Sequence, residues 1–171
     1  MSVTFRLATP ADQPRIVAIY NQAIATKEST ADLTPMTVAE RQPWFQEFDS
    51  HHFSLWVIVH ENQVIGYVGL EPYSDRAAYN QTAEIALYLA AGAQGMHVGS
   101  QTLDWVAKVA PAHQITTIIS RIFGHNQASR RLFEKKGYER WGHLPAIADM
   151  AGFSADLEVY GRHFVKPHGD E

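Results

Sequence analysis

Hydrophobic and polar positions repeat at two periods along this chain, and the switches between them mark its elements. The opening run VTFRLAT alternates with period two, as a half-buried strand does. Thr9, Pro10 and Asp12 then supply a cap, a first-turn proline and an early carboxylate. They predict a helix whose apolar stripe is Ile16, Ile19, Tyr20, Ala23 and Ile24. A second helix is expected from Thr37, whose spacing to Glu40 matches a capping box, with Trp44, Phe45 and Phe48 turned to the core. Pro43 falls inside it and should bend or split it.

FSLWVIVHENQVIGYVGLE reads as a hairpin, two β-branched and aromatic runs around the polar turn HENQ. A looser segment over 72–81 leads into the strand TAEIALYLA. Leu103, Val106, Ala107 and Ala110 then recur at helical spacing until Pro111 stops them, and ITTIIS is another short strand. Asn126 is placed to cap QASRRLFEKK, which ends in two lysines with Gly137 at the C-terminal cap. Strands are expected around 138–142 and 157–164, and the tail KPHGDE is expected to fray. Helices and strands mixed in this order, without repeats or a low-complexity linker, predict an α/β layer domain. At 171 residues there is room for one such domain, expected over 1–166, with 167–171 as its tail.

Charge and composition narrow the function. There are 14 basic and 18 acidic residues, a net charge of −4, and no basic block longer than Arg130-Arg131 or Lys135-Lys136. Nucleic-acid binding is disfavoured. The absence of cysteine removes disulfides, thiolate metal sites and cysteine nucleophiles, and fits a reducing, cytoplasmic location. MSVTFRLATPADQP has no apolar signal core, and no stretch approaches the roughly 20 apolar residues that span a bilayer, so no membrane partner is expected. Nine histidines occur without H-E-x-x-H or comparable helical spacing, so no metal is expected, and no G-x-S-x-G elbow is present.

The candidate chemistry lies in YLAAGAQGMHVGSQTL, a strand-to-helix turn that carries glycines and neither Lys nor Arg. Main-chain N–H groups over 95–100 can converge at the helix N-terminus, where the macrodipole favours an anion. The alternative is a plain connection whose glycines relieve backbone strain. Gly99 precedes Ser100 where a nucleotide-triphosphate loop needs lysine, and the dinucleotide fingerprint fails. Upstream, alternation puts Glu84, Ala86 and Tyr88 on one strand face and Ile85, Leu87 and Leu89 on the other. Glu84 thus borders apolar surface, which should raise its pKa above about 4.3 and improve it as a proton acceptor.

With these residues in view, the chain resembles the GNAT-type acetyl-CoA-dependent N-acetyltransferases, and among them the phosphinothricin and methionine sulfoximine acetyltransferase group. The resemblance runs through IYNQAIATKESTADLTPMTVAERQPWF, PYSDRAAYNQTAEIALYL, AQGMHVGSQTL and NQASRRLFEKKGY. It implies a single-domain α/β fold with a central, mostly antiparallel twisted sheet, splayed at the cofactor strand and flanked by about four helices. It also implies a homodimer, with Trp141, Phe153 and Tyr160 as the region for an interface.

By the same resemblance, Gln94 and the amides of Gly95, Met96, His97, Val98, Gly99 and Ser100 receive acetyl-CoA. Leu87 and Leu89 offer main-chain groups to its acetyl and pantetheine parts, and Asn126, Ser129 and Phe133 complete the cofactor contacts. His97 replaces a family glycine, so either the amide geometry survives at ordinary φ or the loop is impaired; its imidazole could also add positive charge. Thr82-Ala83-Glu84 matches the group's T-x-E, whose glutamate is the general base. Phe133 stands where the family often has Tyr or His, which removes an acid from that position. Arg76 and Tyr79 match the acceptor loop, but Ser74 occupies the place of a second cation, Asp75 adds a negative charge, and the later G-x-W-x-D signature lacks its Trp at Ser154. The expected reaction is acetyl transfer to the primary amine of a small amino-acid-like acceptor. Its alternatives are a non-catalytic acyl-CoA-binding sensor with a degenerate site, or acetylation of another amine: an antibiotic, a polyamine or a protein.

Overall fold

The computed structural model describes residues 2–164; the expected frayed tail lies outside them. Seven strands form one sheet in the order β1 (Thr4–Leu7), β2 (Leu55–His60), β3 (Gln63–Pro72), β4 (Thr82–Leu89), β5 (Thr117–Phe123), β7 (Ser154–His163) and β6 (Glu139–Asp149). Neighbours pair antiparallel except β4 and β5, which run parallel. The helices are α1 (Gln13–Thr26), α2 (Gln42–Phe45), α3 (Val98–Val109) and α4 (Gln127–Lys135). None of the described helices is long and apolar enough to cross a membrane.

Thr9 caps a 3-10 turn over Pro10–Asp12 that runs directly into α1 at Gln13. The Thr9 N–H donates to the Asp12 carboxylate at 2.8 Å, and Arg6 holds the same carboxylate through two N–H groups at 2.8 and 2.9 Å. The helix buries Ile16, Ile19, Tyr20 and Ile24 against Leu55, Val57 and Tyr67 on one sheet face. On the other face, Leu103 and Val106 of α3 and Phe133 of α4 pack against Val68, Leu70, Ile85 and Ile118. The sheet is thus covered on both sides, and β4 contributes to both layers.

The second helix splits at Pro43 as the sequence reading allowed, and two strands differ from it in extent. The Thr37–Glu40 box forms, with the Glu40 N–H donating to Thr37 Oγ1 at 3.1 Å, yet only Gln42–Phe45 is helical. Pro43 has no N–H to continue a ladder begun at Thr37, so the run splits into a turn and one helical turn. β5 begins at Thr117 because Gln114 turns left-handed (φ 57°) just before buried Ile115. β6 continues to Asp149, seven residues beyond the expected Gly142, and β7 starts at Ser154. β6 is an edge strand, so Pro145 is tolerated there, with register shifts and a left-handed Ala146 (φ 50°) absorbing the irregularity.

Candidate active site

The parallel pairing of β4 with β5 is short. Thr82, Ala83 and Glu84 pair with Thr117, Ile118 and Ile119, and the ladder then ends while both strands continue. Glu84 therefore stands at the fork where the sheet opens, as the expected splay requires.

The antiparallel ladder on the other side of β4 fixes which main-chain groups face the gap. The Tyr73 N–H donates to the Thr82 carbonyl at 3.3 Å and the Ala90 N–H to the Ile65 carbonyl at 2.8 Å. With the register between them unbroken, Thr82, Glu84, Ala86, Tyr88 and Ala90 address β3. The Ile85 C=O and the N–H and C=O groups of Leu87 and Leu89 consequently point to the β5 side, beyond the last β4–β5 pair. They are open hydrogen-bonding groups in a cleft of mixed polar and apolar lining.

That cleft is a cavity of about 470 Å³. Its walls are β4 from Ile85 to Leu89, β5 from Ser120 to Phe123, the N-terminus of α3 and the first turns of α4. Gln94, Gly95, His97, Val98, Gly99, Ser100, Asn126, Ser129 and Phe133 all line it; Met96, 37% exposed, does not. The first bond along α3 runs from the Gln101 N–H to the His97 carbonyl at 3.1 Å, which leaves the amides of Val98, Gly99 and Ser100 open at the helix mouth. Gly95 is left-handed (φ 79°), and a Cβ there would meet nothing within 4 Å. His97 is left-handed too, at φ 60°, ψ 18°. Neither sequence alternative anticipated this: the loop keeps the glycine-like turn by forcing a histidine into it. A cleft with open strand amides at one end and a helix N-terminus at the other suits an acyl-pantetheine chain ending in a diphosphate.

Several candidate residues already have partners. Asn126 Oδ1 accepts from the Ser129 N–H at 3.2 Å and its Nδ2 donates to the Glu28 carbonyl at 3.2 Å, so its capping role is realised. Phe133 is buried edge-on to Tyr138 and brings no proton donor. Arg76 and Tyr79 lie exposed on the β3–β4 loop, Tyr79 against Tyr73, and neither lines the cavity. Trp141 and Phe153 are exposed, but Tyr160 is fully buried, donating to Glu134 Oε1 at 2.6 Å and accepting from Arg130 Nε at 3.1 Å, and offers no interface surface.

Alternation alone did not bring out Glu71 and Arg121. Glu71 on β3 lies directly opposite Glu84. Burial, then the Glu84 and Glu47 charges, push its carboxyl up to about 7. Glu84 is also raised, chiefly by burial, while the nearby Arg121 guanidinium pulls it back and Glu47 pushes it up. Arg121 Nε stands 2.7 Å from Glu84 Oε1, and Arg121 lines the cavity. Their signal was faint: Glu71 ends the predicted hairpin, and Arg121 directly follows ITTIIS.

A separate group, His143, Asp156 and Glu158, lies on the β6–β7 hairpin with ligand-type atoms within 4.8 Å of one another. Within it His143 Nδ1 is 2.8 Å from Glu158 Oε1 and the Ala146 N–H donates to Asp156 Oδ1 at 2.7 Å, while Arg140, outside the group, is 3.7 Å from Glu158 Oε2.

Fork, cleft and helix mouth together have the form that an acyl-CoA-dependent transferase requires. Residues 2–139 match the acetyltransferase (GNAT) domain family, and the chain belongs to it. It is an acetyl-CoA-dependent N-acetyltransferase of phosphinothricin acetyltransferase type. A Bacillus subtilis (strain 168) protein provisionally named phosphinothricin acetyltransferase YwnH is 40% identical over 161 residues, covering 94% of this chain and 98% of that one. The L-methionine sulfoximine/L-methionine sulfone acetyltransferase of Pseudomonas paraeruginosa is 28% identical over 158 residues, 92% of either chain. The crystal structure of a Sinorhizobium meliloti phosphinothricin acetyltransferase in complex with acetyl-CoA is 27% identical. It superposes with a TM-score of 0.89 over 96% of this chain and 89% of that one. The sensor alternative gives way to an enzyme.

Proposed function

We propose that this enzyme acetylates the primary amine of a small amino-acid-like acceptor by direct attack, with Glu84 as general base. The observation that carries the reading is the position of Glu84: a half-buried carboxylate at the last β4–β5 pair, where the open main chain of β4 begins. Glu84 takes a proton from the acceptor ammonium. The freed amine forms a C–N bond to the thioester carbonyl, whose oxygen takes the charge against the Leu87 N–H. Collapse breaks the C–S bond, and the attacking nitrogen, cationic after attack, gives up its second proton to the departing sulfur, so the thiol leaves without an acid at position 133. The amides of 95–100 hold the diphosphate through main-chain dipoles, which explains a cofactor turn without lysine. Leu87 and Leu89 act through their backbones, while Asn126 and Ser129 shape the wall.

The amino-acid-like acceptor is supported by the relatives, whose names specify phosphinothricin and methionine sulfoximine or sulfone. Glu84→Gln should retain acetyl-CoA affinity and lower kcat by roughly 10²–10⁴, the usual scale of general-base effects. Thiol release over an acceptor panel measures it, and turnover at the wild-type rate removes Glu84 from the mechanism.

A further inference from the structure

The β3–β4 loop leaves the acceptor site short of positive charge, because Ser74 stands at one expected cation position and Arg76 lies outside the cavity wall. A cation arrives from a different element. Arg121 lies two residues beyond Ile119, the β5 partner of Glu84, and so projects from the same face of the sheet. Its Nε sits 2.7 Å from Glu84 Oε1, with 54% of the Arg121 side chain exposed against 25% for Glu84. Beyond this ion pair the guanidinium has no hydrogen-bond partner among the described residues, and Arg121 lines the cavity, so its two terminal nitrogens are free to take a ligand.

We propose that Glu84 and Arg121 form a paired receptor for the two charges of an α-amino acid. Arg121 grips the α-carboxylate through its terminal N–H groups while Glu84 faces the ammonium. The inference rests on Glu84 being the base and adds how the acceptor is recognised. An α-amino acid carries both charges on one carbon, so its groups lie about as far apart as the oxygen and nitrogen of this ion pair. A guanidinium can give one N–H to Glu84 and a planar pair to a carboxylate, a geometry lysine lacks. The pair is neutral overall and complements a zwitterion. A second anionic group extending toward β3 meets Glu71, directly across from Glu84, which disfavours a doubly anionic acceptor and selects neutral side chains.

The test compares thiol release with neutral L-amino acids and with their carboxamides, which keep the amine and lose the carboxylate. The wild-type enzyme should prefer the acid. Arg121→Ala should raise KM for the acid roughly 10–100-fold while leaving KM for the carboxamide within about twofold. A cooperative thermal transition near the wild-type midpoint reports an intact fold in the same variant, and Arg121→Lys should recover part of the preference. An Arg121→Ala enzyme with an undiminished acid preference overturns the proposal. So does loss of that preference in Arg76→Ala alone, or wild-type turnover that is indifferent to the carboxylate. These failures leave the base assignment standing if Glu84→Gln is inactive; an active Glu84→Gln removes that assignment instead.

Discussion

His97 concentrates the local cost of the cofactor turn. A side chain at φ 60° brings Cβ against the following carbonyl, worth about 1–2 kcal/mol for an L-residue. The turn holds because the His97 carbonyl anchors the first bond of α3 and Val98 beside it is buried. Glycine relieves the strain but loses more chain entropy on folding. His97→Gly should therefore stabilise the protein by a net amount of about 0.5–1 kcal/mol, read as a higher urea midpoint. Its acetyl-CoA affinity, set beside that of the wild type, isolates the side chain. Weaker binding by the variant makes the imidazole part of the anion site; equal affinity leaves diphosphate binding to the helix amides alone.

The β3–β4 pair carries a charge conflict that its register imposes. Glu71 and Glu84 face one another across a hydrogen-bonded position, and like charges so placed are unfavourable. The folded Glu71 carboxyl is pushed from its ordinary 4.5 to about 7. Between those values the native state keeps a proton that the unfolded chain has lost, so this group's contribution weakens stability as pH rises through the window. The penalty is complete above about pH 7 and absent below about pH 4.5. Glu71→Gln should thus be more stable than wild type at pH 8, by up to about 3 kcal/mol, with the gap closing toward pH 4. Equal pH dependence in denaturant titrations would mean that Glu71 is not protonated in the native state near neutrality. This conflict also marks the limit of what the sequence discloses. Period-two alternation assigned Glu84 to its face because a strand dictates its own side-chain directions. Which residues oppose it depends on ladders to β3 and β5, and Arg121 comes from 37 positions downstream. α1, α3 and α4 were legible from local stripes and caps. The lengths of α2 and β6 were not, since Pro43 and Pro145 act according to what surrounds them.

At the scale of the whole molecule, the fork divides the sheet into a β1–β4 half, with α1 on one face, and a β5–β7–β6 half. Residues 27–29 span the opening between them. His125 Nε2 lies 3.0 Å from the Lys27 carbonyl, Asn126 donates to the Glu28 carbonyl at 3.2 Å and Tyr88 to the Ser29 carbonyl at 3.1 Å, while Lys27 Nζ reaches the Met150 carbonyl at 3.0 Å. On the proposed reading, acetyl-CoA lodged in the cleft would contact both halves and fill open hydrogen-bonding groups that otherwise face water. Binding only the native state, it adds about 2.7 kcal/mol at a hundredfold excess over Kd. For a domain of this size that corresponds to a rise of roughly 5–10 °C in Tm. Where protection appears is the sharper reading. Without acetyl-CoA, the amides of Leu87, Val98, Gly99 and Ser100 should exchange quickly although their elements are well packed, because they point into the cleft. With acetyl-CoA, they should slow together, whereas the β2–β3 ladder changes little beyond the global gain. A rise in Tm without slowing at these amides would put the bound molecule elsewhere and remove the fork as its seat.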